Sequence, residues 1–221
     1  MAKQNHRHQN SEVRRRILDA ARAEFMEHGY EDASVNRIIQ TAGINKGSLY
    51  HYFEDKADLF VTVLKAVTEE MTQSVTELNL AHLLREPPKD FWGFMEHASI
   101  KKIAFAIHHP GLTRLGSELF LQAAKPGAPA KFKEYMQTEV HDLMGEFLKV
   151  GQAQGAVRED LPIPMLTHII MAVSEIMNRS LFEDPSLIER FDPEEIRRYS
   201  HLQVDMIRRI LSVPEGGTPH A

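Results

Sequence analysis

Apolar residues recur along this chain at three- and four-residue steps, the spacing that puts them on one face of a helix. Val13, Ile17, Ala21 and Phe25 mark a first helix, with Ser11 as its cap, Gly29 as its stop and Tyr30 packing back over its end. Ser34 caps a second helix carrying Val35, Ile38, Ile39 and Ala42. Gly43 stops that helix, Ile44 plugs the turn, and Asn45 caps a short third helix with Leu49 and Phe53 facing inward. Asp55 opens a fourth helix, whose stripe of Leu59, Phe60, Val63, Leu64, Val67, Met71, Val75 and Leu78 predicts a run to about Leu80.

Beyond Pro87-Pro88 the pattern stays helical. Phe91 to Ile107 is apolar on more than one face, and His108-His109-Pro110-Gly111 marks a break. Leu112 to Leu121, Phe132 to Val150, Met165 to Phe182 and Ile196 to Leu211 predict further helices. Residues 125–129 read as a loop and 160–164 as a proline-bearing linker, and Asp192-Pro193-Glu194-Glu195 is a helix start. No stretch alternates with strand period, so the fold class is all-α. The expected domains are a flexible basic arm at 1–10, a three-helix head at 11–56, a helical body at 57–212 and a frayed tail at 213–221.

Gly43-Ile-Asn-Lys-Gly-Ser-Leu-Tyr-His-Tyr-Phe53 is the most informative stretch. Helix, glycine turn and short helix form the helix-turn-helix plan, whose second helix enters the DNA major groove. With Leu49 and Phe53 inward, Lys46, Gly47, Ser48, Tyr50, His51 and Tyr52 are left outward. A lysine neutralises phosphate, a glycine lets the backbone approach, and hydroxyls donate to phosphate or base edges. With Glu54-Asp55-Lys56 and Asp58-Leu59-Phe60 following, the stretch resembles the DNA-binding signature of the TetR family of one-component transcriptional regulators, over about Arg14 to Leu64.

That resemblance implies a homodimeric regulator, a repressor by expectation, that binds a palindromic double-stranded DNA operator and releases it for a small apolar or amphipathic effector. Ser34, Asn36, Arg37, Asn45, Lys46, Gly47, Ser48, Tyr50, His51, Tyr52 and Lys56 are the candidate DNA-binding residues, with Lys56 matching a family lysine that binds phosphate. The candidate effector pocket takes aromatic and methionine residues and the polar groups among them: Trp92, Phe94, Met95, Phe105, His109, Arg114, Phe120, Met136, His141, Met144, His168, Met171 and Asn178. The candidate dimer interface is Ile169, Val173, Ile176, Tyr199, Met206 and Ile210, on the last two long helices.

Composition narrows the alternatives. The net charge is −5, so the chain is not globally basic. Residues 1–56 hold nine Lys/Arg against eight Asp/Glu, whereas the remainder holds 17 against 23, so any DNA contact requires cations clustered on one face. There is no cysteine, hence no disulfide and no thiolate metal site. No segment reads as a signal peptide or a membrane span, and the expected location is cytoplasmic. His6-Arg7-His8 reads as a basic tail rather than a metal site, and no metal or cofactor is expected. Motifs of hydrolases, nucleotide-binding loops and zinc proteases are missing, so an enzyme is not expected. A metal hydrolase using His108 and Glu118 is the remote alternative, and an effector-independent architectural DNA-binding protein the nearer one.

Overall fold

The computed structural model describes residues 2–74, 86–183 and 191–213, and for 2–10, 71–74, 178 and 180–183 the backbone alone. The described residues form ten α-helices and one π-helical turn, without a strand. In chain order these are α1 (Ala2–Asp32), α2 (Val35–Ala42), α3 (Lys46–Tyr52), α4 (Lys56–Ser74), α5 (Phe91–His108), α6 (Pro110–Ala123) and α7 (Ala130–Tyr135). The π-turn (Met136–His141), α8 (Asp142–Ala153), α9 (Ile163–Glu183) and α10 (Pro193–Leu211) complete the chain. They fall into two compact units, Met1–Glu70 with Gly111–Tyr135, and Met71–Pro110 with Met136–Ala221.

The first unit is built on α1, which begins earlier than its periodicity implied. The arm expected at 1–10 is helical from Ala2, and Ser11 lies inside the helix rather than at its cap. Neither glycine nor proline interrupts residues 2–28, so a helix nucleated by the buried face of Ile17, Ala21 and Phe25 propagates backward. It breaks at Gly29, whose φ of 70° and ψ of −176° lie outside the helical region. Two side chains of α6 hold this broken end. The Glu118 carboxylate accepts the Tyr30 N–H at 2.7 Å, and Arg114 donates to the Met26 carbonyl. Tyr30 then packs among Phe25, Phe60 and Phe132, its ring centroid 4.8 Å from that of Phe132. Phe25, Phe60 and Phe132 are fully buried, so α1, α4 and α7 share one aromatic core. Compactness thus groups 57–70 and 111–135 with the helix-turn-helix, beyond the boundary at 56 that the sequence suggested.

The second unit is a helical bundle in which α10 packs on α5, and α9 on both α8 and α10. Its core joins Phe91, Phe147, Leu148, Val157, Leu166, Ile170, Ile207 and Leu211. The Phe91 and Phe147 rings stack with centroids 4.7 Å apart. Gly151 is forced by this packing: a Cβ there would lie 2.6 Å from Val157 and 2.7 Å from Phe91. Asp90 and Asp192 cap α5 and α10, each accepting backbone N–H groups of the first turn. The single helix expected over 132–150 is instead α7, the π-turn and α8, a change of register that apolar spacing does not reveal. The expected continuation of α4 toward Leu80 and most of the tail from 213 lie outside the described residues.

Candidate nucleic-acid interface

Local chemistry fixes the α2–turn–α3 motif. Gly43 adopts φ 62° and ψ 42°, the left-handed region, and the N–H groups of Gly43 and Ile44 return to the carbonyls of Gln40 and Ile39. Ser34 Oγ accepts the Arg37 N–H, and Asn45 Oδ1 accepts the Ser48 N–H at 2.8 Å, so each helix start has its side-chain cap. Leu49 and Phe53 are buried, anchoring α3 by its inner face. Arg14 of α1 lays its guanidinium 5.7 Å from the Phe53 ring centroid, closing the end of that anchor.

The outer face of α3 is polar and open. Lys46, Gly47, Tyr50 and His51 are exposed, Ser48 and Tyr52 half-buried. The Lys46 ammonium lies 5.9 Å from the Tyr50 ring centroid, and the His51 and Tyr52 rings meet edge to face. A Cβ on Gly47 would find only the Asn45 side chain, at 3.4 Å. Folding therefore leaves room for a side chain at 47, and its lack keeps the outer surface low. Asn36 is exposed in the first turn of α2, where free N–H groups favour an anion.

Two expected phosphate ligands are already engaged within the subunit. Arg37 donates its Nε to Glu24 at 2.8 Å and its Nη2 to the Asp32 carbonyl at 3.1 Å. Glu24 also accepts the Ser34 N–H, and the Arg37 hydrogen bond holds its pKa below the ordinary carboxylate value. Lys56 donates to the Glu31 carbonyl at 2.9 Å and sits 4.9 Å from the Tyr30 ring centroid. Burial lowers its pKa, opposed by the charges of Glu31, Asp32, Glu118 and Glu24. Both cations brace the junction of α1, α2 and α4, where a phosphate has to compete with these bonds.

The acidic residues after α3 are answered by a cation that sequence order hides. Asp55 accepts the Asp58 N–H at 2.8 Å, and Asp58 accepts the Glu54 N–H at 2.9 Å, a reciprocal cap on α4. Lys131 of α7 places its ammonium 3.4 Å from Glu54 and 3.9 Å from Asp58. Its distance along the chain kept it off the candidate surface.

The residues expected in the effector pocket divide. Arg114 and Phe120 belong to α6 and the first unit, and Arg114 is spent on the end of α1 rather than on a pocket. In the second unit, Trp92, Phe94, Met95 and Met144 are partly buried against the core, Met136 is buried and Met171 half-buried. The Phe105 and His109 rings meet at a tilt with centroids 4.4 Å apart, and those of His141 and His168 at 4.6 Å. The Asn178 side chain lies outside the described residues. Lys102 of α5 is a group the sequence reading missed. Its side chain is exposed, with the charge of Glu175 of α9 acting on it against a desolvation that lowers its pKa.

The candidate interface on the last two helices divides as well. Ile169 and Val173 pack against their own core, and Tyr199 donates its hydroxyl to the Met177 carbonyl at 2.6 Å, with burial pushing its pKa up to about 12. These three face inward. Ile176, Met206 and Ile210 are exposed, and Met165, Leu202 and Val213 join them. Among the described residues no helix is long and apolar enough to cross a membrane, and no group of three or more His, Cys, Asp or Glu side chains is placed to hold a metal ion.

A capped helix-turn-helix with an open, polar second helix, joined in one chain to a helical bundle, defines a DNA-binding regulator of the all-helical class. The model of bacterial regulatory proteins of the tetR family matches residues 17–63. A transcriptional repressor of Corynebacterium diphtheriae, AcnR, is 30% identical over 154 residues, covering 69% of this chain and 72% of that protein. The crystal structure of a tetR-family regulator from Shewanella sp. PV-4 superposes with a TM-score of 0.70 at 17% identity, over 91% of this chain and 99% of that one. The FadR regulator of Bacillus subtilis, crystallised with stearoyl-CoA, shares the fold with a TM-score of 0.64 at 18% identity, over 87% of this chain and 96% of that one. The chain belongs to the tetR family of bacterial regulatory proteins.

Proposed function

We propose that the protein is a homodimeric, cytoplasmic repressor that reads a palindromic operator through the outer face of α3 and releases it when a small effector enters the second unit. The open polar face of α3, with Lys46, Tyr50 and His51 exposed above a buried Leu49 and Phe53, is the observation that carries the DNA-binding part. Lys46 is the first phosphate contact. Tyr50, His51 and Ser48 present the hydroxyls and ring nitrogens that meet base edges or phosphate, and Gly47 sets the approach distance. Ser34 and Asn45 serve as caps that hold the two helix starts, and Arg37, Lys56 and Tyr52 as braces at the rim.

The dimer is supported by apolar side chains spaced for one helix face on α9 and α10. Leu202, Met206 and Ile210 recur every four residues, and Ile176 is 64% exposed. A short recognition helix covers few base pairs, and a two-fold copy doubles the site. The effector reading is supported by the partly buried Trp92, Phe94 and Met95 and by Lys102 beside Glu175. An apolar ligand with an acidic group suits that lining, and the stearoyl-CoA of the B. subtilis neighbour has this amphipathic character. Such a ligand acts only by preferring the DNA-incompetent state.

Footprinting on the DNA upstream of the protein's own gene, with sedimentation of the complex, tests the reading. A protected palindrome carrying two chains per site is expected, with protection lost on adding fatty acids or acyl-thioesters that also raise Tm. Diffuse protection without a symmetric site, unaffected by any ligand that raises Tm, contradicts it and favours an architectural DNA-binding role.

A further inference from the structure

His141 closes the π-turn and His168 lies on α9, so a change of helical register brings together two imidazoles far apart in sequence. Their ring centroids are 4.6 Å apart with the planes inclined at 57°. His168 Nδ1 lies 2.5 Å from the Pro164 carbonyl. A carbonyl only accepts, so Nδ1 carries the proton and the Nε2 lone pair of the neutral ring faces away from that bond. This is how proteins orient a metal-ligating histidine, with one nitrogen donating to a fixed oxygen and the other left to the ion. His141 is half-buried, with its ring against that of His168.

With metal–nitrogen bonds of about 2.1 Å, two imidazoles on one ion place their centroids about 4.7 to 5.4 Å apart, depending on the angle at the ion. The 4.6 Å separation of this pair lies at the near end of that range, within reach of a small side-chain rotation. We propose that His141 and His168 form a two-histidine site for a divalent transition-metal ion such as Ni2+, Cu2+ or Zn2+. Among the described residues no third histidine or carboxylate joins them, so the site is open and moderate in affinity. Asp142 accepts the Gln137 amide at 2.8 Å, and its charge favours a cation at His141.

Calorimetric titration of untagged, chelator-treated protein with Ni2+ at pH 7.5 tests the site, with His168→Gln, His141→Gln and a His108→Gln/His109→Gln control. The wild type and the control are expected to bind one more Ni2+ per chain than either variant of the pair, or the variants to bind it at least tenfold more weakly. Ni2+ is also expected to raise Tm in the first two proteins and not in the variants. His168 is exposed, so its conservative replacement carries the test even if His141→Gln disturbs the π-turn; unchanged metal-free Tm and circular dichroism verify this. Equal stoichiometry, affinity and melting shift in all four proteins would overturn the proposal, as would loss of the extra ion in the His108→Gln/His109→Gln control alone.

Discussion

The outward faces of α3 and of the α9–α10 pair are both open, and their chemistry is opposite. On α3 the exposed side chains are a lysine, a tyrosine and a histidine above a buried Leu49. On α9 and α10 large apolar groups also face water, Met165, Ile176, Leu202, Met206 and Ile210, among exposed charged residues such as Arg197, Arg198, Arg208 and Arg209. A polar face that water already satisfies gains little by being covered, except by a ligand with complementary charge. An apolar face of this size gains by burial alone. The contrast fits the two roles proposed: a surface that selects a polyanion and a surface that accepts a second copy of the chain.

The sharpest way to break this contrast is to charge the apolar face. Ile176→Glu combined with Met206→Glu is expected to leave the fold intact and convert dimer to monomer in sedimentation equilibrium. Operator affinity then falls by about a hundredfold, as two linked half-site contacts become one. A variant that stays dimeric places the interface elsewhere.

Two glycines sharpen it further. Gly151→Ala forces a Cβ against Val157 and Phe91 and is expected to cost about 1–3 kcal/mol in denaturant unfolding without altering α3. Gly47→Ala meets nothing closer than 3.4 Å, so stability is expected to hold or rise slightly while DNA affinity drops several-fold in anisotropy titrations. Equal stability losses at both sites would remove Gly47 from the surface account.

Smaller effects follow from single charges. Lys46→Ala is expected to weaken binding about tenfold and to reduce the salt slope by about 0.9. Lys56→Ala, with its ammonium bonded to Glu31, is expected to change the slope less and Tm more. The smallest effect concerns Glu24, whose folded pKa lies below 4.5 because of Arg37. Its contribution to stability is complete above the ordinary carboxylate pKa and disappears as pH falls through the lower folded value. Glu24→Gln is therefore expected to be less stable than wild type at pH 7 and indistinguishable near pH 2 in thermal melts.

The helix-turn-helix was legible because its determinants are local. Gly43, Asn45 and the Leu49–Phe53 spacing each act within one or two turns, and each is found in its expected place. What escaped was long-range or register-dependent. Lys131 reaches Glu54 across much of the chain, and Arg114 is drawn from the supposed pocket to the carbonyl of Met26. Ile169 and Val173 share apolar character with Ile176, yet they face the core while Ile176 faces water. Periodicity identifies an apolar stripe without saying which part of it meets its own subunit. The π-turn left no trace in apolar spacing, because one extra residue per turn shifts a stripe without ending it.

Operator recognition by the outer face of α3 is tested most directly by a binding comparison. Fluorescence anisotropy should be measured with the duplex upstream of the protein's own gene and with a scrambled duplex, for wild type and Lys46→Ala across salt. The account predicts at least a thousandfold preference for the native duplex at moderate salt, as specific binders show, with Lys46→Ala weaker and shallower in salt dependence on both. Equal affinity for the two duplexes, or a Lys46→Ala variant identical to wild type in affinity and slope, would contradict it.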